Sequence, residues 1–259
     1  MNQPLAYIHP QAKIARNVVI EPFSTIHKNV EIEEGTWIGP NVTIFEGARI
    51  GKNVKIYPGC SISATPQDLK YKGEETTTHI GDNTVIREYV TISRGTNDRM
   101  KTVIGSNCLL MAYVHVAHDC LIGDNCILVN AVQIAGHCEV EDFAIIGGSS
   151  AVHQFVRVGA HVMISGGSLV RKDVPPFTKA AREPLTYCGI NSIGLRRRGF
   201  SSEKISEIQE IYRYVFLKGL NNSKALDLVE LELSPSKERD EIIRFIRNSD
   251  RGVMKGYSY

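Results

Sequence analysis

The sequence predicts a parallel β-helix built from hexapeptide repeats, with a helical domain at its C-terminal end. The first observation is an aliphatic residue at every sixth position: of the 28 positions in this register between Ile8 and Val170, 25 are Ile, Leu or Val. The second is that this period ends after Val170 and that residues from Ser201 onwards follow helical spacing. Three hexapeptides form one triangular coil of 18 residues, and each flat side of the coil points one aliphatic side chain inward.

Glycine, proline and asparagine lie between the predicted strands and mark the corners of the coil. The segments 39–41, 51–53, 81–83 and 123–125 have the sequences Gly-Pro-Asn, Gly-Lys-Asn, Gly-Asp-Asn and Gly-Asp-Asn, which suit turns. The aliphatic register is broken only at Asp68, Glu74 and Asp98, all within two interruptions of the repeat. We expect these interruptions to form inserted loops at about residues 63–79 and 93–103.

The end of the repeat divides the chain into two predicted domains. Because Pro175 and Pro176 break regular structure, residues 1–190 are assigned to the β-helix and residues 191–259 to the helical domain. Ser201 or Ser202 is expected to cap the first helix, and two more helices are expected over residues 223–233 and 236–247. Since the end of a β-helix exposes unpaired backbone, this domain would cover one end.

Composition limits the possible functions. The 259 residues include 30 basic and 28 acidic side chains, for a net charge of +2, which argues against electrostatic capture of nucleic acid. No apolar run reaches the ~18 residues of a membrane span. The N-terminus lacks the cationic start and apolar stretch of a secretory signal. We therefore expect a cytoplasmic protein with no membrane span and no nucleic-acid partner.

Five of the six cysteines lie in the repeat, each two residues before an aliphatic register position: Cys60, Cys108, Cys120, Cys126 and Cys138. We interpret them as small core residues. Disulfides are not expected in a reducing compartment, and the absence of a Cys-x-x-Cys motif argues against a thiolate zinc site.

Histidines cluster in the second half of the repeat. His118 is 18 residues before Gly136, so Gly136 is expected one coil above it, and Asp119 is expected below His137. By the same spacing of 18 residues, His153 is expected above Ala135. The patch formed by His118, Gly136, His137 and His153 leaves three interpretations open.

The first interpretation is a set of surface histidines without function. The second is a metal site, such as the zinc site of carbonic anhydrases built on this repeat, although no ligand spacing here forces tetrahedral coordination. The third is general-base catalysis on a hydroxyl. In that case Asp119 could orient the His118 ring, and the Gly136 N–H could stabilise an oxyanion.

Several segments resemble the family of acyl-carrier-protein–UDP-N-acetylglucosamine O-acyltransferases, which begin lipid A synthesis in Gram-negative bacteria. The similarity covers essentially the whole chain, and the HVAHDC, AVHQF and RRGF segments are its most specific part. The matching segments are IGDNTVIRE at 80–88, HVAHDC at 115–120, AGH at 135–137, DFAIIGG at 142–148, AVHQF at 151–155 and RRRGF at 196–200.

This resemblance implies a left-handed parallel β-helix with a C-terminal α-helical domain, assembled as a homotrimer with active sites between neighbouring subunits. It implies that His118 is the general base that deprotonates the 3-hydroxyl of the glucosamine, that Asp119 orients it and that the Gly136 N–H holds the oxyanion. The implied substrates are UDP-N-acetylglucosamine and a 3-hydroxyacyl acyl carrier protein, without a cofactor or metal.

The resemblance also assigns substrate-binding residues. Asp68 and Lys70 would contact substrate from the first interruption, and Gly166 matches the position that sets acyl length, where glycine predicts a long chain. The groove residues are His115, His137, His153 and Gln154, and those reaching the uridine and phosphates are Asn191, Arg197 and Arg198. Ile193 departs from the family, which has an acidic residue there. A trimer would also be expected to bury Val114 and Phe155 against neighbouring subunits.

Other functions remain open from the residues. One is another hexapeptide-repeat sugar acyl- or acetyltransferase, since composition cannot separate acyl carrier protein from acetyl coenzyme A as donor. A second is a zinc-dependent, carbonic-anhydrase-like enzyme. A third is a scaffold without catalytic activity.

Overall fold

A computed structural model describes residues 5–256 and has the predicted architecture, a left-handed parallel β-helix followed by α-helices. Short strands form three sheets, the flat sides of a triangular solenoid, and each strand pairs with the strand one coil later, as Ile8 does with Ile26. The fold class predicted from the repeat is therefore confirmed.

The first sheet contains nine strands: β1 (Tyr7–Ile8), β4 (Thr25–Ile26), β7 (Thr43–Ile44), β10 (Ser61–Ala64), β13 (Thr91–Ser93), β16 (His115–Val116), β19 (Gln133–Ile134), β22 (Ala151–Val152) and β25 (Leu169–Val170). The second contains eight: β2 (Lys13–Ile14), β5 (Glu31–Ile32), β8 (Ala48–Ile50), β11 (Thr77–Ile80), β14 (Lys101–Ile104), β17 (Leu121–Ile122), β20 (Glu139–Val140) and β23 (Arg157–Val158). The third contains ten: β3 (Val19–Ile20), β6 (Trp37–Ile38), β9 (Lys55–Ile56), β12 (Val85–Ile86), β15 (Leu109–Leu110), β18 (Ile127–Leu128), β21 (Ile145–Ile146), β24 (Met163–Ile164), β26 (Thr178–Ala181) and β27 (Thr186–Ile190).

The aliphatic register lines the interior of the solenoid. Ile20, Ile86 and Val116 are among the side chains with no exposed surface, and burying each aliphatic chain contributes about 1.5–3 kcal/mol. The five repeat cysteines are buried and free, as expected. One expectation is wrong: Val114 is fully buried inside its own chain, because it occupies the same inward position as those cysteines, so it needs no neighbour to cover it.

Three corners join the sheets, and each corner turn places a residue in the left-handed conformation at six-residue intervals. We name each corner by one residue that lies in it. The His118 corner (118–119, 136–137, 154–155) joins the first sheet to the second, the His161 corner (142–143, 160–161) joins the second to the third, and the Gly166 corner (112–113, 130–131, 148–149, 166–167) joins the third to the first.

Both inserted loops leave the solenoid at the His118 corner, in the coils directly below His118. The first loop (65–76) connects β10 to β11, and the second loop (94–100) connects β13 to β14. The Thr76 hydroxyl donates to the Gly95 carbonyl over 2.6 Å, which ties one loop to the other. Two loops of polar sequence thus extend from the corner that carries the histidines.

The chain leaves the repeat through an antiparallel pair, β26 and β27, and then forms four helices: α1 (Ser192–Arg197), α2 (Ser202–Leu217), α3 (Asn222–Glu232) and α4 (Lys237–Arg247). Ser201 caps α2 as predicted, its side chain accepting from the Lys204 N–H. Tyr212 on α2 is fully buried and donates its hydroxyl to the Pro176 carbonyl, which fixes the helices against the end of the solenoid. Within residues 5–256, the longest helices are too short or too polar to cross a bilayer.

Candidate active site

His118 and Asp119 form a hydrogen-bonded pair at the His118 corner. The Nδ1 of His118 lies 2.8 Å from Asp119 Oδ2. Because an ionised carboxylate can only accept hydrogen bonds, Nδ1 must carry the proton, and Nε2 of the neutral ring is left as a proton acceptor. The side chain of His118 is 12% exposed. The sequence placed these two residues together correctly.

The Asp119 carboxylate is fully buried and is held by four donors. Oδ1 accepts the N–H groups of Thr96 and Arg99, at 3.0 Å and 3.1 Å. Oδ2 accepts the Thr96 hydroxyl at 2.6 Å in addition to His118. Burial acts to raise the pKa of Asp119, but the hydrogen bonds from Thr96, His118 and the Arg99 backbone outweigh it, so that the pKa lies below its ordinary value. Asp119 is thus a fixed negative charge beside His118.

Gly136 lies one coil above His118, as the count of 18 predicted, and its lack of a side chain makes room for the imidazole. A Cβ atom at this position would lie 2.7 Å from Cε1 and 2.8 Å from Nε2 of His118. In the described chain the Gly136 N–H donates to no protein group, so it is free to bind an oxygen close to Nε2.

His137 completes the upper wall of the site. Its ring meets the ring of His118 edge-on at 5.0 Å and stacks on Phe155 at 4.5 Å. Asp98 of the second loop reaches to 3.0 Å from His137 Nδ1, an ion-pair distance without hydrogen-bond geometry. Phe155 remains 49% exposed in the single chain.

The first loop brings Asp68 to the lower side of His118. Asp68 Oδ2 lies 3.9 Å from His118 Nε2, and Asp68 also accepts the backbone N–H of Lys70. Lys70 is exposed at the rim. The loop therefore brings one of its two predicted substrate contacts close to His118 Nε2.

The remaining predicted groove residues lie beside this corner. His115 projects from β16 and shares a 2.7 Å hydrogen bond with Thr91. Burial, together with the repulsion that a protonated His118 would exert, lowers the pKa of His115. His153 and Gln154 are exposed one coil above Gly136. All three can line a surface that leads to His118.

Four predicted substrate-binding residues are not at the His118 corner of the same chain. Gly166 lies at the Gly166 corner, with a Cβ position 3.1 Å from the Gly148 carbonyl. Asn191 and Arg198 lie at the His161 corner, where they donate to the carbonyls of His161 and Phe143 at 2.9 Å and 3.0 Å. Arg197 is exposed beside them. Ile193, at the position that departs from the family, is 63% exposed.

The sequence leaves open a zinc site at this corner. His118, Asp119 and His137 can each bring one ligand atom to within 4.8 Å of the others. However, four donors already occupy the two oxygens of Asp119, and a metal ion would have to displace at least one of them. The residues fit a hydrogen-bonded pair better than a zinc site.

Sequence reasoning missed the second loop as a part of the site. Thr96 and Arg99 donate hydrogen bonds to Asp119, and Asp98 lies 3.0 Å from His137 Nδ1. The available signal was Asp98, a carboxylate at a position where the repeat otherwise has an aliphatic residue. In the sequence alone, Asp98 indicates only that the repeat is interrupted.

Comparisons with known proteins agree with this geometry. Residues 173–254 match the family model described as UDP-N-acetylglucosamine O-acyltransferase, domain 2. Residues 29–64 and 101–136 match the bacterial transferase hexapeptide model.

Individual relatives extend the similarity to nearly the whole chain. The acyl-(acyl-carrier-protein)–UDP-N-acetylglucosamine O-acyltransferase of Trichlorobacter lovleyi is 49% identical over 255 residues, 97% of this chain and 98% of that protein. The protein of the same name from Aquifex aeolicus is 55% identical over 195 residues, 75% of each chain. The crystal structure of a UDP-N-acetylglucosamine acyltransferase from Bacteroides fragilis matches with a TM-score of 0.97 and 53% identity, covering 98% of this chain and 100% of that one.

Proposed function

The chain belongs to the family of acyl-(acyl-carrier-protein)–UDP-N-acetylglucosamine O-acyltransferases, and from this membership we propose how its site works. The enzyme transfers an acyl group from acyl carrier protein to UDP-N-acetylglucosamine in lipid A biosynthesis. The acyl group is a (3R)-3-hydroxyacyl chain, and the acceptor is the 3-hydroxyl of the sugar. The observation that carries the mechanism is the His118–Asp119 hydrogen bond, which leaves Nε2 as a base beside the Gly136 N–H.

The reaction needs no covalent enzyme intermediate, because the thioester is already activated. His118 Nε2 takes the proton of the sugar hydroxyl as its oxygen attacks the thioester carbonyl carbon. The Gly136 N–H donates to the oxyanion of the tetrahedral intermediate. When the C–S bond breaks, the leaving thiolate accepts from His118 the proton that came from the sugar hydroxyl. The products are an ester and a free thiol. The Asp119 carboxylate stabilises the imidazolium between these steps.

The predicted substrate contacts complete this assignment. Asp68 and Lys70 bind the sugar next to the base, and His115, His137, His153 and Gln154 line the path of the sugar nucleotide and the acyl chain. Asn191, Arg197 and Arg198 face the uridine and phosphates, for which guanidinium groups are suited. We place the reaction in the cytoplasm, whose reducing conditions suit the six free cysteines.

The placement of these residues supports a homotrimer. Residues assigned to one ligand lie at all three corners of a single chain, and a triangular solenoid holds its corners apart. A threefold arrangement brings one corner of each subunit to a different corner of the next. The exposed rings of Tyr113 and Phe155, 61% and 49% exposed, would be covered by such contacts.

The test of this function is acyl transfer to UDP-N-acetylglucosamine by His118→Ala, with a panel of 3-hydroxyacyl carrier proteins as donors. We expect kcat to fall at least about 100-fold, the lower limit for a lost general base, while the trimer persists. His27→Ala is the matched control, since His27 is a surface histidine that stacks on Phe45 outside the site. Near-normal turnover by His118→Ala would refute the general-base role.

A further inference from the structure

The second loop places Thr96 against the His118–Asp119 pair, a contact that an interruption of the repeat does not by itself require. Thr96 is 5% exposed, and it supplies two of the four donor groups that hold the Asp119 carboxylate, its N–H, which is shared between both oxygens, and its hydroxyl. The hydroxyl bond, at 2.6 Å, is the shortest of the hydrogen bonds to this carboxylate. It ends on Oδ2, the same oxygen that accepts the proton of His118.

The direction of the Thr96 hydroxyl is fixed by its neighbours. The N–H of Asp98 donates to Thr96 Oγ1 over 3.3 Å, so the oxygen is already used as an acceptor, and its own proton points to Asp119. The loop is in turn held at several points. Gly95 accepts the Thr76 hydroxyl, and the Arg99 guanidinium pairs with Glu139 at 2.7 Å.

We infer that Thr96 is a positioning residue of acyl transfer, whose hydroxyl fixes the Asp119 carboxylate in the orientation that aims Nε2 of His118 at the substrate. This inference rests on the proposed role of His118. Thr96 acts through Asp119 and touches no reacting atom. Without the hydroxyl, Asp119 keeps the backbone N–H groups of Thr96 and Arg99 on Oδ1, but Oδ2 retains only His118 and the longer 3.2 Å bond from the Thr96 N–H.

Loss of the Thr96 hydroxyl should change the pH dependence of the reaction rate. An Oδ2 atom with one donor fewer attracts the Nδ1 proton of His118 more strongly and favours the imidazolium. The base is then protonated up to a higher pH, so the acid limb of the pH–rate profile moves to higher pH. The other ionisable or charged groups around His118 are Asp68 from the first loop, His115 from β16, His137 from the coil above, and Asp98 and Arg99 from the second loop. All of them are unchanged in the variants below.

The experiment compares Thr96→Val, Thr96→Ser and Thr76→Val in the full-length enzyme, with kcat and KM measured across pH. Valine keeps the shape of threonine without the donor, and serine keeps the donor. Thr76→Val is the matched control, because it removes a buried hydroxyl bond of the same length, 2.6 Å, that ends on the same loop but not on Asp119. If Thr96→Val does not fold, Thr96→Cys, with a weaker donor of similar size, replaces it.

For Thr96→Val we expect kcat to fall about 10- to 100-fold, the range for a lost hydrogen bond to a charged group, with an acid limb at higher pH and little change in KM. Thr96→Ser should restore both the rate and the profile. A wild-type rate and profile in Thr96→Val would overturn the inference, as would a failure of serine to rescue or an equal shift in Thr76→Val. If His118→Ala is inactive while Thr96→Val is normal, only this inference fails; if His118→Ala is active, the proposed function itself fails.

Discussion

At the scale of the residue, the position of the His118 ring depends on the absence of a side chain at Gly136. A methyl group there would meet Cε1 and Nε2 at 2.7 Å and 2.8 Å, closer than carbon and nitrogen atoms can pack. We therefore expect Gly136→Ala to lower kcat about 100-fold, the effect of misplacing a reacting group by about 1 Å, although the backbone N–H is retained. Steady-state kinetics measures this loss, with unfolding temperature and trimer mass as controls. Normal kcat in a folded Gly136→Ala trimer would show that the ring can move without cost.

The residues of the site differ in how well the sequence predicts their positions. His118, Asp119 and Gly136 belong to the repeat, where a count of 18 states which residue lies above which. Thr96 and Arg99 lie in a loop outside the repeat, so the 18-residue spacing does not predict where their hydrogen-bond donors point. Asp119 is a further case: its stacking was predicted, but its complete burial depends on that loop.

At the scale of the element, strands were predictable and the exit from the solenoid was not. The strand β26 pairs antiparallel with β27, and a six-residue parallel repeat contains no signal for that. The helix α1 has six residues, too few to show a helical period. Helices α2, α3 and α4 are longer, and each begins within one residue or so of the predicted start.

The Gly166 corner gives a prediction about acyl length. Only Gly167 of the two glycines has a left-handed backbone, with φ +70°, so Gly166 is not required by its backbone conformation. The side chain introduced by Gly166→Met would occupy space that the proposed function assigns to the acyl chain. We therefore expect kcat/KM to shift by about 10-fold or more towards donors several carbons shorter, given ~1–3 kcal/mol per lost pocket segment. A panel of carrier-bound donors measures this preference.

The neighbouring glycine is the control for that experiment. Gly167→Met should lower stability and activity with every donor, because methionine is strained at this φ. Equal losses with all chain lengths in Gly166→Met would mean that Gly166 serves the backbone and not the acyl chain.

The His161 corner predicts an acid sensitivity. The imidazole of His161 lies between the rings of Phe143 and Phe177, at 4.9 Å and 5.5 Å, and its Nδ1 is buried without a partner in the described chain. Burial, with a smaller effect of the Arg198 charge, lowers the pKa of His161 to about 4. The folded state therefore favours the neutral ring, and its stabilisation is complete above the ordinary value of 6.5 and is lost as pH falls from there towards 4.

Replacing His161 by phenylalanine should extend the aromatic stack and remove this titration. We expect the free energy of unfolding of His161→Phe to fall less steeply over that pH interval than the wild-type value. Denaturant midpoints at a series of pH values measure both slopes. Parallel slopes would show that His161 does not contribute to acid sensitivity.

At the scale of the whole molecule, the proposed active site, with residues from all three corners, predicts complementation between subunits. His118→Ala removes the base, and Arg197→Glu reverses an exposed charge at the His161 corner. Each variant alone should be inactive. When the two are coexpressed at equal levels and assemble at random, about one in three sites in mixed trimers, and so about a quarter of all sites, combines an intact His118 corner with an intact neighbour. About a quarter of wild-type activity should therefore return.

Light scattering during the assay checks that the active species is a trimer. No recovery in mixed trimers of proven composition would place His118 and Arg197 of the same chain in one site. A fully active monomer would exclude shared sites altogether.

Because the coils stack, the position of every residue can be given by two coordinates, its height along the solenoid axis and its angle around that axis. Both loops and the His118–Asp119 pair lie at one angle, whereas Gly166 lies at another angle and on a higher coil. Under the proposed function, the sugar is bound at the His118 corner, whereas the acyl length depends on the height of the coil that carries Gly166. Because each coil of a solenoid packs on the coils directly above and below it, a substitution on a higher coil can leave the coils around His118 unchanged. In that case, the acyl length can change in evolution while the binding of the sugar is retained.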